Sequence, residues 1–426
     1  MSKPAFDLNH NTHADLNSEL ETSQLTDHDA EMFFEHFDDG LYIGMMSGTS
    51  LDGLDAVLCR FTDDIRAPLH IVATYSQAFP PRLREVLLAL CQPNGVQTLN
   101  PTADEPNNEI DWFGWASRAY GEFASSVVNS LLQQADTSAD DVLAIGCHGQ
   151  TIRHRPEWGF SLQLVDANII AERTGISVVH DFRRRDMAVG GQGAPLVPAF
   201  HAALFSHATE ARVLLNLGGI ANITVLPALN NAQTVVGYDT GPANLLLDAW
   251  TMRHLQQSFD ADGQWAASGQ VIAPLLKQLL THPFFAKDYP KSTGREDFHL
   301  AWLNESLEQF ADSTDASDYT PADVQATLAE LSAIAAADQI ARFNNAHAAQ
   351  VYVCGGGALN THLLGRLRAH LPEWTISTTQ DLGLDPLWVE AAAFAWLARQ
   401  TLMSETGNLP AVTGADKKVV LGQVCF

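Results

Sequence analysis

Basic residues are scarce: 24 lysines and arginines stand against 50 aspartates and glutamates, a formal charge of −26 over 426 residues. Binding to a phosphate backbone needs a basic surface, so nucleic acid is excluded as a general partner. An anionic ligand then requires a local cluster, and Arg183-Arg184-Arg185 is the candidate. Cysteine is sparse too. Cys59, Cys91, Cys147, Cys354 and Cys425 have neither paired metal spacing nor the pattern of a disulfide framework, and reduced thiols are expected. No apolar run approaches the roughly 18 residues of a membrane span, and the N-terminus lacks the basic and apolar regions of a signal peptide. The expectation is a cytoplasmic protein that makes no membrane contact.

What the chain does contain is length enough for two domains. Residues 1–39 are the exception: ten acidic residues accompany Lys3 alone, with few aliphatics, so this stretch is expected to remain a disordered acidic tail. Its His10 and His13 are too isolated for a metal site.

Leu41 to Phe61 reads as strand, tight loop, strand. Around Ser47-Gly48-Thr49-Ser50 two glycines, Gly44 and Gly48, and three hydroxyls suit a phosphate, because a residue without Cβ lets an anion reach the backbone. The helix-opening loop G-x-x-x-x-G-K-[ST] is absent, so a hairpin must carry the phosphate. Further on, Leu69 to Phe79 reads as a strand and Pro81 opens a helix. Glu109 to Gln134 is the longest helical pattern, its stripe running Ile110, Phe113, Ala116, Tyr120, Phe123, Val127, Leu131. A helix of that length needs its aromatics as core, against the alternative that Trp112 and Trp115 stack on a sugar. Val142 to Thr151 is a buried-type strand that ends in His148-Gly149-Gln150-Thr151, where a parallel strand meets a ligand crevice; a turn with a satisfied histidine is the plainer alternative. Gln163 to Thr174 reads as helix and Ile176 to His180 as strand.

At that strand's end lie Asp181 to Asp186 and the glycine loop Gly190 to Pro195, read as mobile. Asp181 is placed as a general base, or as half of an Asp–Arg pair capping a loop. Ala194 to Phe205 reads as the helix leaving the first domain. Arg212 to Leu226 then repeats the strand, glycine turn, strand pattern, with Gly218-Gly219 where Gly48 stood, as a duplicated fold gripping a phosphate from both sides requires. In Val235 to Met252, Asp239 and Thr240 are natural helix caps and Pro242 fits a first helical turn. Alternatively Asp239 supplies or orients a magnesium ion, a hard cation that needs oxygen ligands. Glu330 interrupts the apolar stripe of the helix 321–343, as an interfacial residue or a cleft carboxylate. Gly355-Gly356-Gly357 follows a further strand, and three glycines let a flat purine and ribose lie on backbone.

Met46 to Asp55, M-S-G-T-S-L-D-G-L-D, resembles the signature of the anhydro-N-acetylmuramic acid kinase family, within the sugar kinase, actin and Hsp70 superfamily. The later motifs resemble it through Phe426. That resemblance implies two α/β domains of the ribonuclease H kind, residues 40–205 and 206–426, with nucleotide and sugar in the cleft between them. It implies ATP-dependent phosphorylation with hydrolytic ring opening of 1,6-anhydro-N-acetylmuramic acid, in recycling of cell-wall sugar, by a homodimer. ATP is expected at Gly48, Thr49, Ser50, Leu51, Asp52, Gly53, Leu54, Asp55, Gly218, Gly219 and Gly355 to Gly357. The sugar is expected at His148, Gln150, Asp181 and Glu330. D-F-R followed by G-G-Q-G-A-P aligns with the stretch holding the family's catalytic aspartate, hence Asp181. Where many superfamily members open the first loop with an aspartate this chain has Met46, so the carboxylate that orients magnesium must come from elsewhere. The rival reading is a catalytically idle nucleotide- or sugar-sensing protein on the same fold.

Overall fold

The computed structural model describes residues 40–48, 50–62, 69–312, 318–343 and 350–426. The acidic stretch 1–39 and Thr49 lie outside them.

Strands β1 (Leu41–Met46), β2 (Gly53–Phe61) and β3 (Leu69–Ala78) form an antiparallel meander. Two helices follow, α1 (Pro81–Leu90) and α2 (Glu109–Ala135), and then β4 (Val142–Cys147). The short strands β5 (Gln150–Arg155) and β6 (Phe160–Leu164) form a separate hairpin. Next come α3 (Ala167–Thr174), β7 (Val178–His180), α4 (Phe182–Met187) and α5 (Val197–Phe205). The first sheet runs β13-β7-β4-β1-β2-β3, with β1, β4 and β7 parallel.

The second half repeats this order. Strands β8 (Arg212–Leu217), β9 (Ile220–Leu226) and β10 (Val236–Pro242) form the meander. Helix α6 (Asn244–Leu255), several shorter helices and α7 (Pro321–Ala341) lead to β11 (Gln350–Cys354), α8 (Thr361–His370) and β12 (Thr375–Thr378). The sheet order β10-β9-β8-β11-β12 matches β3-β2-β1-β4-β7 strand for strand. This duplicated arrangement, three antiparallel strands continued by two parallel ones, is the ribonuclease H-like architecture expected from the sequence.

The chain then departs from the expected domain limits. Helix α9 (Val389–Leu402) packs on β1 and β4, and β13 (Gln423–Cys425) pairs antiparallel with β7. The C-terminal segment therefore completes the first domain rather than extending the second. Its seat is made by Gly44 and Gly146, paired across β1 and β4. A Cβ on Gly44 would collide with the Ala391 carbonyl, and one on Gly146 with that of Phe394. Gly44 thus admits a helix, not a phosphate. The alanines Ala391, Ala392, Ala393, Ala395 and Ala398 of α9 share one buried cluster with Tyr42 and Val57 of the first sheet and Leu214 and Leu226 of the second.

Three other local readings are corrected. Gln163 lies on strand β6, paired with Thr151 of β5, and helix α3 begins only after Asp166, whose side chain accepts from the Ile169 amide at 3.2 Å. Asp239, Thr240 and Pro242 belong to β10 instead of capping α6. β10 is an edge strand, where a proline's missing N–H is tolerated. Of the α2 stripe, Ala116, Tyr120, Phe123, Val127 and Leu131 are buried as expected, and Trp112 is core. Ile110, in the first turn, is 82% exposed.

Candidate active site

Between β1 and β2 the described segment, Ser47, Gly48 and residues 50–52, lies above the carboxyl ends of the parallel strands. It is tied to the end of β4 by Ser47 Oγ donating to the Gly149 carbonyl (3.3 Å) and by the His148 amide donating to Met45 (3.1 Å). Leu51 takes a left-handed conformation (φ 59°), costly for a branched side chain, and Arg84 Nε donates to its carbonyl at 2.9 Å. Gly48 stands open: an added Cβ would meet only Ser50 Oγ, at 3.8 Å. Gly53 and Leu54 already belong to β2. Leu54 is fully buried, and a Cβ on Gly53 would strike the Gln77 backbone, so packing explains both. Asp55 is paired opposite Met46, and burial raises its carboxyl above the usual range, opposed by a hydrogen bond with Ser76.

On the facing domain, the Gly218 and Gly219 carbonyls accept from the amides of Asn244, Ala243 and Leu245, which locks the second hairpin turn to the start of α6. Gly355 has φ 77°, and a Cβ there would collide with Asn216 Oδ1. Gly357 sits against Leu217, while Gly356 has only Asn244 Nδ2 nearby, at 3.7 Å. The Gly355 amide donates to Pro386 (2.9 Å), so the triple-glycine turn is anchored just before α9.

Arg183 is the central cation. Its Nε and Nη2 approach His148 Nε2 at 3.2 and 2.9 Å, and its Nη1 donates to the Gly193 carbonyl at 2.8 Å. Burial lowers its basicity to about 10, opposed by the charges of Glu390 and Asp186. Burial and then Arg183 hold His148 well below the ordinary imidazole range, so it is neutral and accepts at Nε2. The glycine loop is pinned, contrary to expectation. Buried Asp186 accepts from the Gly193 amide (2.9 Å), Asn408 Nδ2 (2.7 Å) and Thr413 Oγ1 (2.8 Å), and the Gln192 amide donates to Thr413.

Glu390, which the sequence reading missed, lies at the first turn of α9. It accepts from Asn216 Nδ2 at 3.4 Å, and burial raises its carboxyl above the usual range, with Arg183 lowering it and Asp55 raising it. A carboxylate at the head of an otherwise alanine-rich buried helix was the available signal.

The three carboxylates expected for base, sugar and metal, Asp181, Glu330 and Asp239, part company here. Asp181, in the left-handed region (φ 56°), is held by Arg184, whose Nε donates to Oδ2 at 2.7 Å and whose Nη2 contacts the same oxygen. The pair foreseen as the alternative for Asp181 is thus formed. Glu330 packs between α7 and α8: Arg366 Nε and Nη2 reach its two oxygens at 2.5 and 2.8 Å, and His370 Nε2 lies 2.8 Å from Oε1. Burial alone would raise its carboxyl, but Arg366 and His370 together hold it below the usual range. The interfacial alternative describes it, and the structure does not bring it to the group around Arg183.

Asp239 is different. Among the described residues its carboxylate accepts one hydrogen bond, from the Thr293 amide (3.0 Å), and burial pushes it up to about 7, against that amide and with help from Glu296. The loop that holds it turns toward the first domain: burial lowers the basicity of Arg295, with Asp52 opposing and Arg84 adding to that shift. Asp52 also adds to the burial that raises Asp248, on α6, to about 7. Among the described residues no three histidine, cysteine, aspartate or glutamate side chains form a metal cage. Magnesium in a nucleotide site is bound by one or two carboxylates, phosphates and water, and Asp239 suits such a share.

Two ribonuclease H-like domains with facing glycine hairpins and buried carboxylates between them define a phosphotransferase of the actin-like ATPase class. The family model for anhydro-N-acetylmuramic acid kinase matches residues 40–426, and the chain belongs to that family. The anhydro-N-acetylmuramic acid kinase of Psychrobacter cryohalolentis is 67% identical over 424 residues, covering 96% of this chain and 99% of its own. That of Acinetobacter baylyi is 49% identical, covering 90% and 98%. Among solved structures, a ROK family glucokinase from Streptomyces griseus in complex with glucose and AMPPNP is 15% identical and covers 85% of this chain and 100% of its own, with a TM-score of 0.37. No helix among the described residues is long and apolar enough to cross a membrane.

Proposed function

We propose that the cleft opens the anhydro ring of 1,6-anhydro-N-acetylmuramic acid and phosphorylates it in one event, with Asp181 as the general base. Membership of the family makes the chain an ATP-using kinase of this anhydro sugar. What it adds to cell-wall recycling is N-acetylmuramic acid 6-phosphate, made in the cytoplasm by a homodimer that contacts neither nucleic acid nor membrane.

An acetal oxygen bridging two carbons carries no proton, so the base of an ordinary sugar kinase would have nothing to remove. Water supplies the proton instead. Its oxygen bonds to C1 as the C1–O6 bond breaks, its proton passes to a carboxylate, and O6 takes the γ-phosphoryl group, releasing ADP. General-base assistance of this kind is worth about 10²–10⁴-fold. The observation that carries the assignment is the position of Asp181 just past the carboxyl end of β7, beside Arg183, with Arg184 Nε fixing its Oδ2 at 2.7 Å.

The loops at Gly48 and at Gly218-Gly219 hold the phosphates from either side, and Gly355 to Gly357 receive the adenosine. Arg183, steered by His148, and Glu390, joined to Asn216, set the charge between them. Magnesium, shared with Asp239 or with the neighbouring carboxylates, neutralises charge on the phosphates. Closure of two domains excludes water as a competing acceptor. In ¹⁸O-water the product should carry label on the anomeric carbon and none in the phosphate ester; label in the ester would refute the coupled reaction.

A further inference from the structure

Between β4 and α3 the chain leaves the main sheet, builds the separate two-stranded sheet β5–β6 and returns. It departs at the carboxyl end of β4, the edge at which sheets of this kind receive ligands. The hairpin has two unlike faces. Leu164 is part of the core beneath α2, and Phe160 and Leu162 continue its apolar side. The other side is a polar ladder: Gln163 Nε2 donates to Thr151 Oγ1 (3.1 Å) and Ser161 Oγ (2.8 Å), and Ser161 Oγ lies 3.0 Å from His154 Nδ1. Burial and then Arg183 depress His154 to about 4, which places this ladder within the field of the central cation.

The ladder has an open end. With the Gln163 amide nitrogen committed to two hydroxyls, its Oε1 is turned away from them, buried and without a partner among the described residues. Gln150, 2% exposed, likewise has a buried Oε1 with no donor. A buried amide oxygen left unmatched carries a desolvation cost that a donor removes. Both oxygens are acceptors, so the group they call for is a hydroxyl or an amide N–H.

We propose that the hairpin β5–β6 is the specificity wall of the sugar site, with Gln163 as a recognition residue accepting from a donor on the sugar, its acetamido N–H or a hydroxyl. This rests on the reading of the cleft as an anhydro-sugar kinase site. An apolar wall could not reject sugars lacking that donor, whereas a buried acceptor left empty does so.

The test is calorimetry on the full chain with 1,6-anhydro-N-acetylmuramic acid and, separately, with AMPPNP, for wild type and Gln163→Met, which keeps the length of the side chain and removes its oxygen. Thermal midpoints are measured alongside. The dissociation constant for the sugar should rise roughly 3- to 10-fold, the loss of one neutral hydrogen bond, with AMPPNP affinity unchanged. Unchanged sugar affinity in a folded variant, or equal weakening of both ligands, overturns the proposal. If wild type itself neither binds nor turns over the sugar, the kinase reading falls as well; wild-type turnover with an unaffected variant removes only the role of the hairpin.

Discussion

Asn216, at the end of the second domain's first strand, donates from Nδ2 to Glu390 Oε1 at 3.4 Å across 174 positions of sequence. Glu390 heads the helix seated on the first domain, so this hydrogen bond spans the two halves at the floor of the cleft. Glu390→Gln keeps the shape and an acceptor while removing the charge. We expect kcat to fall by about 10²-fold or more, the scale of losing one preorganised electrostatic group. Because burial disfavours the ionised form, the variant should unfold at or above the wild-type temperature. Near-wild-type turnover would take Glu390 out of the chemistry.

Asp181→Asn should abolish turnover, and Asp239→Asn should cost less. Burial pushes the Asp239 carboxyl up to about 7, which gives stability its own dependence on pH. A carboxyl whose folded pKa lies above its unfolded value stabilises the fold fully below about 3.8, and that contribution is lost as pH rises through about 7. Denaturant titrations from pH 4 to 8 should show this decline in wild type and its absence in Asp239→Asn. An Asp181→Asn enzyme that keeps its turnover would remove Asp181 as the base.

His201 joins α5 to β9 through Thr224 Oγ1 at 2.9 Å, and burial pushes its imidazole down to about 3. The unfolded chain takes up this proton near 6.5 and the folded one does not. Stability is therefore complete above 6.5 and falls as pH drops toward 3, by up to about 1.4 kcal/mol per unit. His201→Gln should flatten that slope in acid denaturation curves. A slope identical to wild type would show that other groups govern it.

Gly44→Val and Gly48→Val should fail differently. At Gly44 the side chain would occupy the place of the Ala391 carbonyl, and at Gly48 it would enter open space. The first should express poorly or melt several degrees lower. The second should fold normally and lose ATP binding, as calorimetry would show. Retained ATP affinity in Gly48→Val removes this loop from the nucleotide site.

Removal of residues 1–39 should leave kcat and KM unchanged, since the family model begins at residue 40. A loss of turnover beyond a factor of two in the truncated, folded enzyme would give this acidic segment a part in the cleft or in assembly.

The repeated hairpins and the order of elements were legible because strand, glycine turn and strand are local patterns written in adjacent residues. Gly44 was misread because its reason is 347 positions away, at Ala391, and only the packed helix reveals it. The surroundings of Asp181 and Asp239 were likewise out of reach: an Arg184 guanidinium holds the one and burial encloses the other. Glu330 looked anomalous on its stripe because its partners, Arg366 and His370, lie on another helix. Glu390 escaped because a lone glutamate at a helix start is usually a favourable charge at the dipole's positive end.

The return of α9 and β13 to the first sheet sets the order in which the protein can mature. While the ribosome is still making the second domain, β1 and β4 present bare glycines and an uncovered apolar face that no later part of the first half can shield. The covering helix emerges only after residue 389. The amino-terminal half is therefore a dependent partner throughout synthesis, exposed to chaperones and proteases until release, and the two halves reach their native state together.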